Sequence, residues 1–481
     1  MTVEIGEVVA RAYVVLSIVL IAYAVALQLL YTILTYLGWV AVREYVALRP
    51  LRDYKFVGAS PMSLPVSILV PAYNEQAGVV ESVHSLLSSQ FSRLEVVVIN
   101  DGSTDATLTR LIEAYDMVSV LRVPRSGLPS ADVKAVWVSR LDDRVMLIDK
   151  VNGGKADSLN AGINYASYPL VCSLDADTIL DPEALARLVW EFQADDDTVA
   201  TGGIVRIING SILEDGKLKH VQTPRSLLAN IQIVEYLRAF LGGRIGWSRA
   251  KALIIISGAF GLFRRDALVQ AGGYDATCVG EDAELVLRLY RSRKEAGLPC
   301  RITFFPDPIC WTECPQDLRT LARQRDRWQR GLGQILWRHR VMTLNPKYGP
   351  VGWMALPAFW MFELLGPVVE TIGMILIPIG VLLGYVTIPI FLLLLALTLL
   401  YGLLLSLVAV LIEERAYQRY PSWRDLRRMI FALIVENLGY RQWLSIVRVR
   451  AMLKRPKKGH AWGAQQRSGF GQTTSGSILL Q

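Results

Sequence analysis

The chain has 481 residues, a formal net charge of +8 and a hydrophobic fraction of 52%, with 20% charged residues. This composition excludes disordered, collagen-like and disulfide-scaffold proteins, and it argues against a purely soluble globule. Five cysteines without a C-x-x-C pair, together with four scattered histidines, predict free thiols and no zinc site.

Two long runs contain no charged residue, at 12–42 and 371–412. About 20 apolar residues span a bilayer, so the first run predicts one transmembrane helix, retained as an anchor, and the second predicts two helices joined by a turn. A buried core helix explains such lengths poorly. We therefore expect a multi-pass protein of the cell membrane with three spans, at roughly 14–38, 366–387 and 390–411.

Positive charge is concentrated beside these runs. Residues 413–458 contain 12 Lys and Arg against 4 Asp and Glu, and basic residues also follow the first run. Such charge could bind nucleic acid, but beside membrane spans it marks the cytoplasmic face. The pattern predicts a cytoplasmic central region and contact with membrane lipids, not nucleic acid. The stretches 349–363 and 428–447 are expected to lie at the membrane interface.

The central region alternates short apolar runs with helical patterns, which predicts a doubly wound, mainly parallel α/β sheet. Ligands of such sheets bind at the carboxyl ends of the strands. We expect strands at Val66–Val70, Val96–Asn100, Val145–Ile148 and Leu170–Leu174, and helices at 77–90, 104–115, 154–167 and 181–192.

Polar residues follow three of these strands directly. They are Pro71–Glu75, Asn100–Asp105 and Asp175–Asp177. Each cluster alone is explained as well by turn and helix-cap residues as by a binding site. Because all three clusters directly follow strands, one shared site is favoured. Asp175 and Asp177 are one residue apart and point the same way, so they predict a Mg²⁺ or Mn²⁺ site that takes further oxygens from a diphosphate.

Two further segments have both a structural and a functional interpretation. Lys155 follows Gly153 and Gly154 at a helix start, where a cation and free backbone N–H groups could bind an anion. The pattern is not a P-loop, so it gives an ATPase little support. Glu281 and Asp282 also open a helix, and they are either first-turn acids favoured by the helix dipole or a general base.

Gln324, Arg327, Trp328 and Gly331 share one face of a predicted helix, because they are spaced i, i+3, i+4 and i+7. A flat indole beside a guanidinium suits a charged, hydroxyl-rich ligand. A solvated basic helix is the alternative, since further arginines lie on its other faces.

Together these motifs resemble the family 2 glycosyltransferases, and most of all their membrane-embedded processive branch, the cellulose, chitin, hyaluronan and poly-N-acetylglucosamine synthases. The resemblance implies an anchor at 1–45, a cytoplasmic GT-A domain at 46–345, a membrane region at 346–458 and a flexible tail at 459–481. One departure is Gly280, where many of these synthases have Thr. The matching segments, in family order, are Pro71–Glu75, Asn100–Asp105, Gly153–Asp157, Asp175–Asp177, Ser257–Phe263, Gly280–Asp282 and Gln324–Trp328.

The resemblance also implies roles for single residues and an inverting transfer from a UDP-sugar. Asp282 is the implied base, and Asp175 and Asp177 are the implied metal ligands. Donor-binding roles are implied for Tyr73, Glu75, Asp101, Lys155, Asp175 and Arg327. Roles at the acceptor and in processivity are implied for Glu281, Gln324 and Trp328.

The implied product is a β-linked polysaccharide, made processively and translocated. A single-transfer enzyme that makes a glycolipid is the alternative, and a non-enzymatic membrane receptor would require the acidic motifs to be caps only. An auxiliary membrane or export subunit is left open. A polymer path must be lined by protein. Glu363, Glu370 and Glu436 either line such a path or lie on interfacial helices.

Overall fold

The computed structural model describes residues 2–176, 178–214, 217–420 and 422–454. Ten strands form one sheet, in the order β3-β4-β5-β2-β1-β6-β11-β8-β12-β7, and β9 pairs with β10 in a separate hairpin. The strands are β1 (Val66–Ala72), β2 (Leu94–Asn100), β3 (Met117–Val120), β4 (Val133–Ser139), β5 (Val145–Lys150), β6 (Leu170–Leu174), β7 (Ile179–Leu180), β8 (Thr198–Ile207), β9 (Ile212–Glu214), β10 (Lys217–His220), β11 (Phe260–Arg264) and β12 (Arg301–Thr312).

Four parallel strands form the middle of this sheet, in the order β5-β2-β1-β6. Their apolar residues are buried on both faces, which is why they form nearly continuous apolar runs in the sequence. All four expected strands are confirmed within two residues at each end. The flanking strands make the sheet mixed, because β4 pairs antiparallel with β5, and β11 pairs antiparallel with both β6 and β8. The fold is a GT-A α/β fold.

The four helices expected between the strands are confirmed as α3 to α6. The α-helices are α1 (Thr2–Leu48), α2 (Tyr54–Ala59), α3 (Val79–Leu87), α4 (Thr107–Ala114), α5 (Lys155–Tyr165), α6 (Ala184–Ala194), α7 (Leu227–Leu237), α8 (Ile245–Arg249), α9 (Arg265–Gln270), α10 (Glu281–Glu295), α11 (Leu318–Arg338), α12 (Leu356–Ala358), α13 (Gly366–Leu382), α14 (Ile388–Ala416), α15 (Trp423–Val435) and α16 (Arg441–Leu453). Shorter π-helical segments are Arg238–Arg244, Val351–Ala355, Phe359–Leu364 and Glu436–Tyr440.

Within the described residues, two helical segments are long and apolar enough to cross a membrane, Ala10–Leu51 and Ile388–Ala416. A third span exists if Val351–Leu364 and Gly366–Leu382, which are bent by 40° relative to each other, cross together. In that case the segment expected at the interface, 349–363, belongs to the span. The predicted tail, 459–481, lies outside the described residues.

Close backbone contacts hold α1 against the helical segment Arg238–Arg249 and the sheet. A Cβ atom on Gly38 would lie 2.1 Å from the carbonyl oxygen of Leu241, and one on Gly246 would lie 2.4 Å from that of Leu34. At the end of α1, the hydroxyl of Tyr45 donates a hydrogen bond of 2.6 Å to Asp307 of β12. The first span is therefore packed directly against the sheet domain.

Candidate active site

The loops after β1 and β2 bind each other through side chain to backbone hydrogen bonds. Asn74 has a positive φ of 56°, its N–H donates to Ser103 at 3.0 Å, and its side-chain oxygen accepts from the N–H of Thr104 at 2.8 Å. The N–H of Glu75 donates to the hydroxyl of Thr107 at 2.9 Å. The two strand-end clusters therefore form one unit, with a partly buried Tyr73 at its edge.

Asp101, at the end of β2, holds the glycine-rich loop before α5. Its carboxylate accepts from the Lys150 ammonium at 2.7 Å and from the N–H groups of Gly153 and Gly154 at 2.9 and 2.8 Å. These two N–H groups are therefore occupied by the Asp101 carboxylate, and anion binding at the start of α5 stays a prediction. Lys150 is fully buried and also pairs with Asp157 at 2.6 Å. Sequence reasoning missed it.

Lys155, the first residue of α5, contacts the loop after β6 and the loop before β11 at the carboxyl edge of the sheet. Its ammonium lies 2.5 Å from Asp175, which follows β6, and donates to the carbonyl of Gly258 at 2.8 Å. Burial opposes this charge, but the carboxylates of Asp175, Glu281 and Asp282 outweigh it and raise the pKa of Lys155. Asp177 lies outside the described residues, so Asp175 is the one residue of this predicted metal-binding pair whose position can be described.

Glu281 and Asp282 face a small cavity that is also lined by Lys155, Ser257 and Tyr274. They open α10, where the helix dipole favours acids. Asp282 approaches the Ser257–Phe263 motif closely, since a Cβ on Gly258 would lie 2.9 Å from one of its carboxylate oxygens.

The cavity perturbs the protonation of Glu281, which is partly buried. Burial raises the pKa of its carboxyl to about 7, with further contributions from the negative charges of Asp282 and Asp175. Asp175, Glu281 and Asp282 all act on the ammonium of Lys155, and with a pKa of about 7 Glu281 is partly protonated at neutral pH.

The predicted helix with Gln324, Arg327 and Trp328 is α11, which begins at Leu318 because the Asp317 side chain accepts from the N–H of Thr320 at 2.8 Å. Arg327 is exposed, and 44% of Trp328 is exposed.

The alternative of a solvated basic helix does not fit α11, because its Arg325 is buried and paired. The Arg325 guanidinium lies 2.7 Å from Glu235 and 4.4 Å from the ring centroid of Trp328. The fourth residue of the predicted stripe, Gly331, packs against Gly280, so this face of α11 is turned toward the acidic pair.

The three acids expected near membrane depth all have partners. Glu436 pairs with Arg238 at 2.6 Å, Glu363 accepts from the hydroxyl of Tyr31 at 2.6 Å, and Glu370 accepts from Ser445. These contacts join α1 to the segment Phe359–Leu364, α16 to α13, and the segment Arg238–Arg244 to Glu436. Whether these acids line a path stays a prediction.

Comparison with known proteins identifies the family of this site. The family model "Glycosyl transferase family 2" matches residues 67–270, and "Glycosyl transferase family group 2" matches residues 170–405. The chain belongs to the family 2 glycosyltransferases. All seven sequence motifs of the resemblance lie within the span of these matches.

This glycosyltransferase is similar to curated bacterial synthases. It is 31% identical to the poly-β-1,6-N-acetyl-D-glucosamine synthase of Staphylococcus epidermidis over 282 residues. This aligned region covers 59% of this chain and 58% of that protein. The chain is 30% identical over 288 residues to the synthase of the same name from Staphylococcus aureus, 60% of this chain and 59% of that one. The match thus spans less than two thirds of these relatives.

A solved structure supports the fold of the glycosyltransferase. The mannosyltransferase PcManGT from Pyrobaculum calidifontis, determined in complex with GDP-Man and Mn²⁺, superposes with a TM-score of 0.50. The superposition covers 88% of this chain and 99% of that chain, at 19% sequence identity. At this identity the similarity concerns the fold alone.

Proposed function

We propose that the protein is an inverting, metal-dependent glycosyltransferase that transfers sugar from a UDP-sugar to a growing β-linked polysaccharide at the membrane. The observation that carries the proposal is the cavity at the carboxyl edge of the sheet, where Lys155 and Asp175 meet the acidic pair Glu281 and Asp282. The names of the relatives support an N-acetylhexosamine polymer, which makes UDP-N-acetylglucosamine the first donor to test.

The donor would lie along the strand ends. Tyr73 and Glu75 would contact the nucleoside from the loop after β1. Asp101 would shape the same pocket, because it fixes the glycine loop in front of Lys155. Lys155 would then neutralise part of the diphosphate charge, and Arg327 would contribute from α11.

The residues at this edge fit a Mg²⁺ or Mn²⁺ ion. Asp175, which lies beside the Lys155 ammonium, brings a carboxylate to this edge near the acidic pair, and carboxylate oxygens are the ligands that both ions prefer. Asp175 and Asp177 would hold the ion. Two protein carboxylates leave coordination positions for phosphate oxygens. When bound, the ion supplies stabilisation of the charge on the departing diphosphate.

The protein's own groups would perform the proton and positioning steps. Asp282 would accept the proton of an acceptor hydroxyl as its oxygen attacks C1 of the donor sugar. The bond from C1 to the diphosphate oxygen breaks on the opposite face, and UDP leaves. This displacement inverts C1, so an α-linked donor gives a β-linkage. Trp328 would hold the acceptor sugar against its exposed indole face.

Contacts between α11 and the membrane region support a processive enzyme with a cytoplasmic catalytic domain. The Gln329 side chain donates to the carbonyl of Leu364 at 3.1 Å and accepts from Arg448 of α16 at 2.7 Å. The platform residue Trp328 is therefore adjacent in sequence to a residue that binds two membrane-region segments. In this proposal the domain at 46–345 passes its product directly to the region at 346–458.

The test is synthesis by the purified, detergent-solubilised protein. It is incubated with a panel of UDP-sugars that includes UDP-N-acetylglucosamine, with Mn²⁺, Mg²⁺ or EDTA, and the products are sized. The proposal expects polymer from one donor in the presence of metal, and none in EDTA. Release of free sugar only, or equal synthesis in EDTA, would contradict it.

A further inference from the structure

Arg244 ends the π-helical segment Arg238–Arg244, which joins α7 to α8. Such π-helical turns inside α-helices occur frequently at functional sites. Gly242 and Gly246, which lie two positions before and two positions after Arg244, face α1. A Cβ on Gly242 would lie 3.0 Å from the hydroxyl of Thr35, and one on Gly246 would lie 2.4 Å from the carbonyl oxygen of Leu34.

Arg244 therefore points away from α1 and toward the sheet domain, because residues two apart on a helix lie on nearly opposite faces. Its guanidinium carbon is 4.4 Å from the ring centroid of Phe240 and 5.9 Å from that of Phe304 in β12. These two rings are stacked, with centroids 5.7 Å apart and an interplanar angle of 13°.

The Arg244 charge has no partner among the residues that the structure describes. Its Nη1 atom is shielded from solvent and makes no hydrogen bond there. The neighbouring arginines differ, since Arg238 pairs with Glu436 and Arg249 pairs with Glu44. Burial lowers the pKa of the Arg244 guanidinium to about 10, and the Asp282 carboxylate partly offsets that effect. Arg244 is partly buried, and a shielded guanidinium nitrogen without a hydrogen-bond partner is costly for folding, so it requires another explanation.

Shared neighbours place Arg244 beside the wall of the cavity that contains Asp282. Phe304, which lies near its guanidinium, and Ile256, which lines the cavity, both lie over Gly202, where a Cβ would meet them at 3.4 and 2.6 Å. The charge of the Asp282 carboxylate acts on Arg244 as well. In the direction of α7, Phe240 packs against Tyr236 with ring centroids 5.6 Å apart, and Arg325, whose charge also acts on Tyr236, lies over Trp328.

We propose that Arg244 binds the acceptor saccharide, donating hydrogen bonds from its guanidinium to the oxygens of the terminal sugar beside Asp282. This inference rests on the proposed function. A guanidinium suits the role because it is weakly hydrated and presents fixed donors. The donor diphosphate has Lys155 and the metal ligands on its own side. In an inverting transfer the base and the acceptor lie on the opposite side of C1.

The test compares Arg244→Met with Arg244→Lys and with the control Arg249→Met. The acceptor is a short β-linked N-acetylglucosamine oligosaccharide, with UDP-N-acetylglucosamine and Mn²⁺. Arg244→Met should raise the acceptor KM about 10- to 100-fold, the loss expected for hydrogen bonds from a charged group. The affinity for UDP should change less than about twofold. Arg244→Lys should restore part of the affinity, and Arg249→Met should leave both constants unchanged.

Thermal unfolding separates this role from a structural one. Met fits between Phe240 and Phe304 without a buried charge, so Arg244→Met should keep or raise the Tm. A lower Tm with parallel loss of donor and acceptor binding would overturn the inference, as would loss of UDP affinity with an unchanged acceptor KM. Wild-type protein that elongates no acceptor contradicts the proposed function. Elongation that Arg244→Met leaves unchanged contradicts only the role of Arg244.

Discussion

The Cα atom of Gly331 in α11 lies against the backbone of Gly280, the residue that precedes the acidic pair. A Cβ on Gly331 would lie 3.2 Å from the N atom and 3.5 Å from the Cα atom of Gly280. In the other direction, a Cβ on Gly280 would lie 2.9 Å from the Cδ1 atom of Ile335. Two glycines that are 51 positions apart in the sequence thus meet through backbone, and the distance between Asp282 and α11 depends on this contact.

Gly331→Ala should move α11 away from the acidic pair, because backbone cannot yield to the new methyl group. We expect a loss of about 1–3 kcal/mol in the free energy of unfolding and a larger proportional loss of kcat than of UDP affinity. Gly333→Ala is the matched control on the same helix, since its Cβ would meet Leu364 at an ordinary 3.6 Å. Thermal unfolding and transfer kinetics measure both. Equal behaviour of the two variants would contradict the role of this contact.

The sequence predicted the parallel centre of the sheet because those strands are buried on both faces and therefore apolar throughout. It did not predict β4, where Lys134 and other polar residues interrupt the pattern and the strand is only partly buried. The bulged strand β12 was also missed, since Pro306, Asp307 and Pro308 interrupt its apolar pattern.

The site was predicted only in part, because the sequence shows local position but not contacts between distant loops. Strand-end position is visible in sequence, so the polar clusters after β1, β2 and β6 were found. Pairing across loops is not visible. Asp101 and Lys150 are 49 positions apart, and nothing local indicates that this carboxylate binds the Gly153 and Gly154 N–H groups instead of leaving them for an anion. The available signal was a charged Asp149–Lys150 pair at the end of an otherwise apolar strand.

Asp282→Asn tests the proposed base. The amide keeps the shape of the side chain but cannot accept the proton, so transfer should fall about 10²- to 10⁴-fold. UDP binding in Mn²⁺, measured by calorimetry, should stay near the wild-type value. Asp196→Asn, a fully exposed carboxylate, is the control and should change neither quantity. If transfer persists while nucleotide binding fails, Asp282 belongs to the donor pocket.

Asp175→Ala and Asp177→Ala test the metal site. Each removes a proposed ligand, and Asp175→Ala also removes the partner of the Lys155 ammonium. Turnover should be abolished in Asp177→Ala and nearly so in Asp175→Ala, and Mn²⁺ should no longer strengthen UDP binding. Calorimetric titration of UDP with and without Mn²⁺ measures this coupling. Full activity of purified Asp177→Ala in EDTA would remove the assignment.

Arg424→Cys tests the orientation of the membrane region. Arg424 is exposed near the start of α15, whereas Tyr420, in the same basic stretch, is only 2% exposed and would not report accessibility. With a cytoplasmic basic stretch, this cysteine should react with an impermeant thiol reagent only after the cells are permeabilised. Leu383→Cys, in the exposed turn after α13, is the control and should react in intact cells. Labelling of Arg424→Cys in intact cells would favour a different number of spans.

Trp328→Ala tests processivity, because a polymerising enzyme must keep its product between transfers. The indole is 44% exposed, and Arg325 packs on its ring at 4.4 Å. Loss of an aromatic platform should weaken acceptor retention about 2- to 10-fold and shorten the products measured by gel filtration. Trp337→Ala is the matched control, an exposed tryptophan on the same helix with Arg340 at 4.9 Å. It lies outside the predicted stripe, so its products should keep wild-type length. Equal product lengths in the two variants would remove the acceptor role of Trp328. A wild-type product with one sugar on a lipid, at saturating donor, would reject processivity and favour a glycolipid-forming enzyme.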